Sequence, residues 1–172
     1  MMLDPGHVLA MARYNAWQNR MMKQAFEALG DAALRAGRGA HFGSIFATAN
    51  HVLWGDRTWM HRIAGWEAPG TGIPQSVELT PTPAVWSAER YRADARLLLW
   101  AETLHGVDLQ GPLRWFSGAL GRDVEKPLAL CVAHMFNHQT HHRGQIHAMV
   151  TGAGGTGWVS DLAFMPDAGP WL

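Results

Sequence analysis

Apolar residues recur at helical spacing along most of this chain. The first such stretch follows Asp4 and Pro5, a helix N-cap with proline at the first helical position, and it ends before Gly30. The second stretch begins near Ile45 and ends near Gly65. The pattern therefore predicts two helices in this part of the chain.

A long loop separates these helices from a third one. Residues 68–83 contain several prolines and glycines, and they finish with Thr82 as a cap and Pro83 at the start of the next helix. The third helix is predicted to extend from about Ala84 to Leu104.

The last helix is predicted to begin at Pro127 and to continue to a glycine-rich stop at Gly152. Between Gly106 and Lys126 the helical period is lost, and the pattern there allows a small β-hairpin. Residues 156–172 have no regular period and are expected to pack as an ordered extension. Four helices without a larger sheet predict an all-α fold, a helix bundle.

Composition favours one globular domain over residues 1–172. The chain is 48% hydrophobic and 16% charged, a balance that excludes a disordered or fibrous class. Fourteen basic residues offset fourteen acidic ones, so we expect no nucleic-acid partner. We also expect no signal peptide and no membrane span, because no stretch reaches roughly 18 apolar residues. The single cysteine, Cys131, excludes an internal disulfide and favours a cytoplasmic location.

Histidines are concentrated in the last predicted helix. His134, His138, His141 and His142 fall within roughly a 100° arc of that helix. Imidazoles on an inward face need partners, and a bound cation is one partner that satisfies several together. His138 and His142 have the i, i+4 spacing that lets two imidazoles reach one ion, but His134 and His138 have it too. Spacing alone therefore does not select the pair.

A third ligand would have to come from another helix. His51 lies in the middle of the second predicted helix, whereas His61 lies nearer its end. Surface solvation or hydrogen bonding in the core explains many i, i+4 histidine pairs equally well. The residues by themselves leave a metal site as one of two interpretations.

Three segments resemble signatures of the DinB/YfiT-like family. Residues 136–146 read FNHQTHHRGQI and are similar to its last-helix signature, in which an H-x-x-x-H pair precedes RGQ. Residues 50–59, NHVLWGDRTW, resemble the second-helix signature, and residues 14–19, YNAWQN, resemble the first. The three motifs occur in order and cover much of the chain.

The resemblance implies an up-down four-helix bundle in which His51, His138 and His142 bind one divalent transition metal. Zn²⁺ and Ni²⁺ are the first candidates for that metal, and Fe²⁺ is a third. Three neutral imidazoles leave coordination positions open for a water or a substrate thiol, which the ion would activate at neutral pH. A homodimer is also expected, because it is common among similar proteins.

The expected function is that of a metal-dependent enzyme acting on a small molecule. Some similar proteins look like S-transferases that use a low-molecular-weight thiol, and others look like metal-dependent hydrolases. The alternative is a non-catalytic, damage-inducible metal-binding module of the stress response. A fourth protein ligand, such as His134 or His141, would close the site and favour that alternative.

Several neighbouring polar residues are candidates for orienting the ligands. They are Asn15, Asp56, Asn137 and Gln145, and each could instead pair with another residue or solvate a helix face. Arg143 is expected to be an exposed residue that solubilises its helix, with attraction of an anionic substrate group as the alternative.

The tryptophans of the first two helices are expected to fill the core. They are Trp17, Trp54 and Trp59, and the alternative is that one of them lines a substrate pocket. No residue is assigned a catalytic role from the sequence.

Overall fold

The computed structural model describes residues 3–172 and is mostly helical. Within those residues the helices are α1 (Pro5–Leu29), α2 (Asp31–Arg35), α3 (Ile45–Ala64), α4 (Pro83–Thr103) and α5 (Leu128–Gly152), and the strands are β1 (Pro112–Ser117) and β2 (Arg122–Pro127). The four long helices and the antiparallel hairpin lie where the hydrophobic pattern predicts them. In the described part of the chain, no helix has the length and apolar character needed to cross a membrane.

Side-chain caps determine where three of the long helices begin. Asp4, Ser44 and Thr82 each accept a hydrogen bond from the backbone N–H three residues later. Such caps satisfy N–H groups that the helix itself leaves free. The predicted caps at Asp4 and Thr82 are confirmed. Pro127, by contrast, is the last residue of β2, and α5 begins one residue later without a side-chain cap.

The long helices pack most extensively as two pairs, α3 with α5 and α1 with α4. α1 also contacts α5, and α3 contacts α4, so the apolar faces of all four contribute to one core. The largest fully buried side chains include Trp86, Met22, Leu53, Met60 and Met135. Because α3 and α5 are neighbours, side chains on these two helices can meet.

A buried polar network links all four long helices. Arg90 of α4 donates to both oxygens of Asp94, from Nη2 at 2.7 Å and from Nε at 3.0 Å, and it also donates to Asp56 of α3. Gln139 of α5 donates to the other Asp56 oxygen at 2.7 Å, and Asn19 of α1 donates to Asp94 at 3.0 Å. None of these five residues is more than 3% exposed. The helices are thus joined by polar contacts as well as by apolar packing.

Arg143 of α5 extends this network, and the expectation that it is exposed is wrong. Its guanidinium is buried, donates to Asn15 of α1 and lies 5.2 Å from the ring centroid of Tyr14. Asn15 in turn donates to Asp94 at 3.3 Å. Position 143 faces α1 rather than solvent, and two arginines balance two aspartates inside the fold.

The hairpin packs beside α3 and α5. Its strands pair in antiparallel register, beginning with Pro112 opposite Pro127. Trp115 of β1 lies edge-on against Trp59 of α3, with ring centroids 5.5 Å apart. The hairpin therefore lies next to the helix that carries His51.

The chain after α5 packs along α1, as expected for an ordered extension. The hydroxyl of Tyr14 donates to the carbonyl of Ser160 at 2.5 Å, and the Gln18 amide donates to the carbonyl of Val159 at 3.0 Å. The indole of Trp158 donates back to Gln18 at 3.0 Å. These bonds hold the tail against the first helix.

Candidate metal centre

Three histidines from α3 and α5 converge on one point. His51 lies in α3, and His138 and His142 lie one turn apart in α5. One ring nitrogen of each lies within 4.8 Å of the others, and the Nε2 atoms of His51 and His138 are 3.2 Å apart. The three side chains are therefore close enough to hold one metal ion.

The separation of these two nitrogens is what a tetrahedral ion requires. With metal–nitrogen bonds of about 2.0–2.1 Å, two ligands of a tetrahedral site lie roughly 3.3 Å apart. Two nitrogens at this distance with lone pairs facing each other repel, so a cation or a proton must lie between them. The donor set of three imidazoles suits Zn²⁺, Ni²⁺ or Fe²⁺.

Ser76 determines the tautomer of His51. The Nδ1 atom of His51 lies 2.8 Å from the Ser76 hydroxyl oxygen, and that hydroxyl donates its own proton to the carbonyl of Ile73 at 2.6 Å. Ser76 can therefore only accept from His51, whose Nδ1 must carry the hydrogen. The Nε2 lone pair of His51 is left for the ion.

Gln145 has the same effect on His142. The Nδ1 atom of His142 lies 2.8 Å from the side-chain oxygen of Gln145, and the Gln145 amide nitrogen faces Nε2 of His141 at 3.3 Å. The oxygen accepts from Nδ1, so the Nε2 lone pair of His142 is free to bind. The candidate role of Gln145 in orienting a ligand is supported by this contact.

His138 has no partner of this kind. Its Nδ1 atom is buried and forms no hydrogen bond with the residues that the structure describes. Its ring packs instead against Gly55 of α3, where an added Cβ would lie 2.8 Å from the ring atom Cε1. His138 is therefore positioned by packing, and glycine at 55 leaves the room for its ring.

Aromatic rings hold His51 from both sides. Phe42 stacks on its imidazole with centroids 3.9 Å apart, and Trp54 lies at 5.6 Å in a nearly parallel orientation. His51 itself is 5% exposed. This packing restricts the rotation of the ring and keeps it pointed at α5.

Burial keeps the three imidazoles neutral at physiological pH. It lowers the pKa of His51 to about 4, with smaller contributions from His142 and His41. Burial also lowers the pKa of His138 to about 3, with the neighbouring histidines adding to the effect, and it lowers the pKa of His142. Neutral imidazoles are the form that binds a metal.

These shifts predict that the metal-free protein becomes less stable in mild acid. In the unfolded chain histidines take up protons near pH 6.5, whereas folded His51 and His138 resist protonation until about pH 4 and 3. The unfolded state therefore binds more protons as the pH falls through this window, and the free energy of unfolding decreases. Urea unfolding at about pH 7 and pH 4.5 measures this loss, which should be smaller for His138→Gln and unchanged for the exposed His7→Gln.

Ser76→Ala is expected to weaken metal binding by about 10- to 100-fold, as is typical when the hydrogen-bond partner of a ligand is removed. The reason is that His51 Nδ1 loses its acceptor, so the tautomer with its lone pair at Nε2 is no longer favoured. Competition with a chromophoric chelator measures the affinity. Ser117→Ala, in the hairpin, is the control and should bind as the wild type does; an unchanged affinity for Ser76→Ala would contradict the assigned role.

Gly55→Ala is expected to lower the metal affinity by at least about tenfold while leaving the metal-free fold as stable as before or slightly more so. The added methyl displaces the His138 ring, but alanine favours a helix interior over glycine by roughly 1 kcal/mol. Gly144→Ala is the matched control, because a Cβ at that helical position meets nothing within 4 Å. Equal metal affinity in both variants would show that Gly55 does not position His138.

The remaining sequence candidates lie outside the cluster. His134 and His141 are exposed, and within residues 3–172 neither joins the three converging nitrogens. Asn137 is exposed, whereas Asp56 and Asn15 bond to the buried network rather than to a ligand. Of the four residues considered for orienting a ligand, Gln145 alone contacts one of the three converging histidines.

A cleft of about 1570 Å³ opens beside the cluster. It lies between α3, the loop after it and the hairpin, and both His51 and His138 line it. Trp17 is buried as expected. Trp54 and Trp59 are half-buried and line this cleft, as the alternative for the tryptophans foresaw, and Trp59 also packs against the core. None of the described residues lining the cleft is an aspartate or a glutamate.

Sequence reasoning missed Ser76, Gly55 and Phe42. Ser76 lies in a 3-10 turn, Ser76–Glu78, whose sequence shows no motif and whose contact with His51 depends on the fold. Gly55 does carry a signal, since glycine in the middle of a helix is unfavourable and usually has a packing reason.

Comparison with known protein families gives one match. The family model described as DinB family matches residues 2–169, which is nearly the whole chain. No curated protein gives a significant match, and neither does any solved structure. Since the match covers all four long helices and the three converging histidines, the chain belongs to the DinB family.

Proposed function

We propose that this protein is a metal-dependent enzyme that acts on a small molecule. His51, His138 and His142 would hold one divalent transition metal, with Zn²⁺ or Ni²⁺ as the first candidates and Fe²⁺ as the third. The observation that carries the proposal is that two of the three imidazoles already present an Nε2 lone pair to a common point, beside a large cleft. When bound, such an ion acts as a Lewis acid and lowers the pKa of a coordinated water or thiol.

The residues around the cluster would prepare it for this role. Ser76 and Gln145 hold the two tautomers, and Phe42 and Trp54 restrict the ring of His51. No fourth histidine, cysteine or carboxylate of the described residues joins the group. An ion held by three ligands keeps positions open toward the cleft, which is the arrangement typical of catalytic rather than structural sites.

The lining of the cleft favours thiol transfer over carboxylate-assisted hydrolysis. Hydrolysis generally uses a base to accept a proton from water. No carboxylate of residues 3–172 lines the cleft, and the described side chains there that could act as a base, outside the cluster, are His61 and His134. A thiol held by a metal ion at these histidines would ionise without such a base. A low-molecular-weight thiol is therefore the partner that we propose first.

We also propose that α1, α3, α4 and α5 form an up-down four-helix bundle that constitutes a single domain, and that two copies form a homodimer. The extensive packing of α3 with α5 and of α1 with α4 supports the bundle. Sedimentation equilibrium tests the dimer, and a monomer at all concentrations would reject it.

Elemental analysis of protein purified without nickel affinity, followed by turnover assays, tests the function. We expect about one transition-metal ion per chain and metal-dependent consumption of glutathione, bacillithiol or mycothiol in the presence of an electrophile. Bound metal without turnover of any thiol or ester would favour the non-catalytic stress-response module. Protein free of metal that also fails to take up added Zn²⁺ would reject both functions.

A further inference from the structure

One positive charge in the cleft has no counterion. Arg62 of α3 lines the cleft, and its side chain makes no hydrogen bond or salt bridge with any residue in the described range 3–172. Arg114, the other arginine of the cleft, is already paired with Glu125. Unpaired arginines on protein surfaces are common, but this one is held in a defined place.

Two tryptophans hold the Arg62 guanidinium. Its central carbon lies 4.8 Å from the ring centroid of Trp59 and 5.5 Å from that of Trp115. The two rings are inclined at 69° to each other, so at most one of them can lie parallel to the guanidinium plane. Cation–π contacts do not replace an oxygen acceptor, and the N–H groups of Arg62 therefore still lack one. A planar, oriented fork of N–H donors is the arrangement that binds a carboxylate through two hydrogen bonds.

The distance from Arg62 to the histidines defines the ligand's length. Arg62 lies three helical turns after His51 on the same face of α3, and two turns after Gly55, which contacts the His138 ring. Two turns correspond to about 10 Å along the helix axis. The cleft is also lined by aromatic side chains, including Trp54, Trp59 and Phe116.

We propose that the cleft binds an elongated apolar or aromatic molecule with a carboxylate at one end, and that Arg62 holds this carboxylate. The reacting end would then lie beside the histidines, toward the N-terminal end of α3, where residue 55 lies about 10 Å from residue 62 along the helix axis. The placement of that reacting end rests on the proposed function. The recognition of the carboxylate by Arg62 does not, since it requires no metal.

The test compares 2-naphthoate with its neutral analogue 2-naphthamide, with isothermal titration calorimetry on the full chain, both zinc-loaded and metal-free. We expect wild-type protein to bind the acid about tenfold more tightly than the amide in both forms, which is the effect of one charge-assisted contact. Arg62→Gln should bind both probes equally, and Arg62→Lys should retain part of the preference. Arg114→Gln is the control and should retain all of it.

Several results would overturn the proposal. They are equal binding of acid and amide by the wild type, an unchanged preference in Arg62→Gln, and a preference that disappears when the metal is removed. If Arg62→Gln binds the amide with unchanged affinity, its cleft is intact. If Arg62→Gln no longer binds the amide, the Arg62→Lys variant is compared instead. Equal binding of the acid and the amide by Arg62→Lys would then reject the proposal. A chain that binds no metal but prefers the acid through Arg62 would reject the proposed function and leave this inference standing.

Discussion

Replacing His138 with alanine is expected to abolish stoichiometric metal binding while leaving a folded, helical protein. Within residues 3–172 three ring nitrogens converge, of which His138 supplies one, and its Nε2 lies 3.2 Å from that of His51. Two imidazoles on separate helices cannot hold an ion as three do. The loss of metal affinity should therefore exceed the roughly 10- to 100-fold that is typical when a hydrogen-bond partner of a ligand is removed. The fold should persist, because alanine is the best helix former and the removed ring is only partly buried.

Elemental analysis and chelator competition measure this effect, with circular dichroism as the check on folding. His134→Ala is the matched control, since His134 lies one turn earlier in α5 at the same spacing from His138 but outside the cluster. It should bind metal as the wild type does. Loss of metal in His134→Ala with retention in His138→Ala would show that the other i, i+4 pair is the ligand pair.

Arg90→Met is expected to lower the free energy of unfolding by about 3–5 kcal/mol, the range typical when one partner of a buried ion pair is removed. Arg90 is 3% exposed and donates to Asp94 and Asp56, which are equally inaccessible. Without the Arg90 guanidinium, the hydrogen bonds to the two carboxylates come from amide donors alone, and Arg143 is left as the buried cation near them. Burying two carboxylates with one counterion and no direct ion pair is strongly unfavourable.

Urea unfolding of both variants separates this effect from a general effect of losing an arginine. Arg92→Met serves as control, because Arg92 lies on the same helix but its side chain is 69% exposed and pairs with Glu89 at the surface. Such surface ion pairs contribute little to stability. The free energy of unfolding of Arg92→Met should therefore stay within about 0.5 kcal/mol of the wild-type value. A loss below about 1 kcal/mol for Arg90→Met would mean that the network adds nothing to stability.

Local signals in the sequence predicted the helices well. Asp4 and Thr82 are capping residues followed by proline, and the structure begins helices at both places. α2 escaped prediction because five residues are too few to show a helical period. The last helix begins at Leu128, one residue after the predicted start at Pro127, which ends β2 and occupies the N-cap position.

The candidate metal centre was only partly predictable from the residues. Helical spacing placed the histidines of α5 on one face, yet it could not distinguish the pair His134 and His138 from the pair His138 and His142. The choice depends on how α5 is rotated against α3, which no local pattern encodes. The family resemblance supplied that information, and the convergence of His51 with His138 and His142 agrees with it.

Long-range contacts explain what the sequence could not show. Ser76 reaches His51 from a loop 25 residues away, and Arg143 meets Asn15 across 128 residues. An arginine beside a ligand histidine looks like a solvent-facing residue until the position of α1 is known. The three-dimensional structure was therefore needed to identify the polar side chains that are buried and their partners.

Because the three histidines are divided between α3 and α5, a bound ion would also affect how firmly these two helices are held together. An ion held by both helices acts as a reversible cross-link between two segments that lie far apart in the chain. Such a link stabilises the native state by RT ln(1 + [L]/Kd), which is about 2.7 kcal/mol at a free-metal concentration one hundred times Kd. The heat resistance of the protein should thus follow the supply of metal around it, and starvation for that metal would loosen the contact between the two helices.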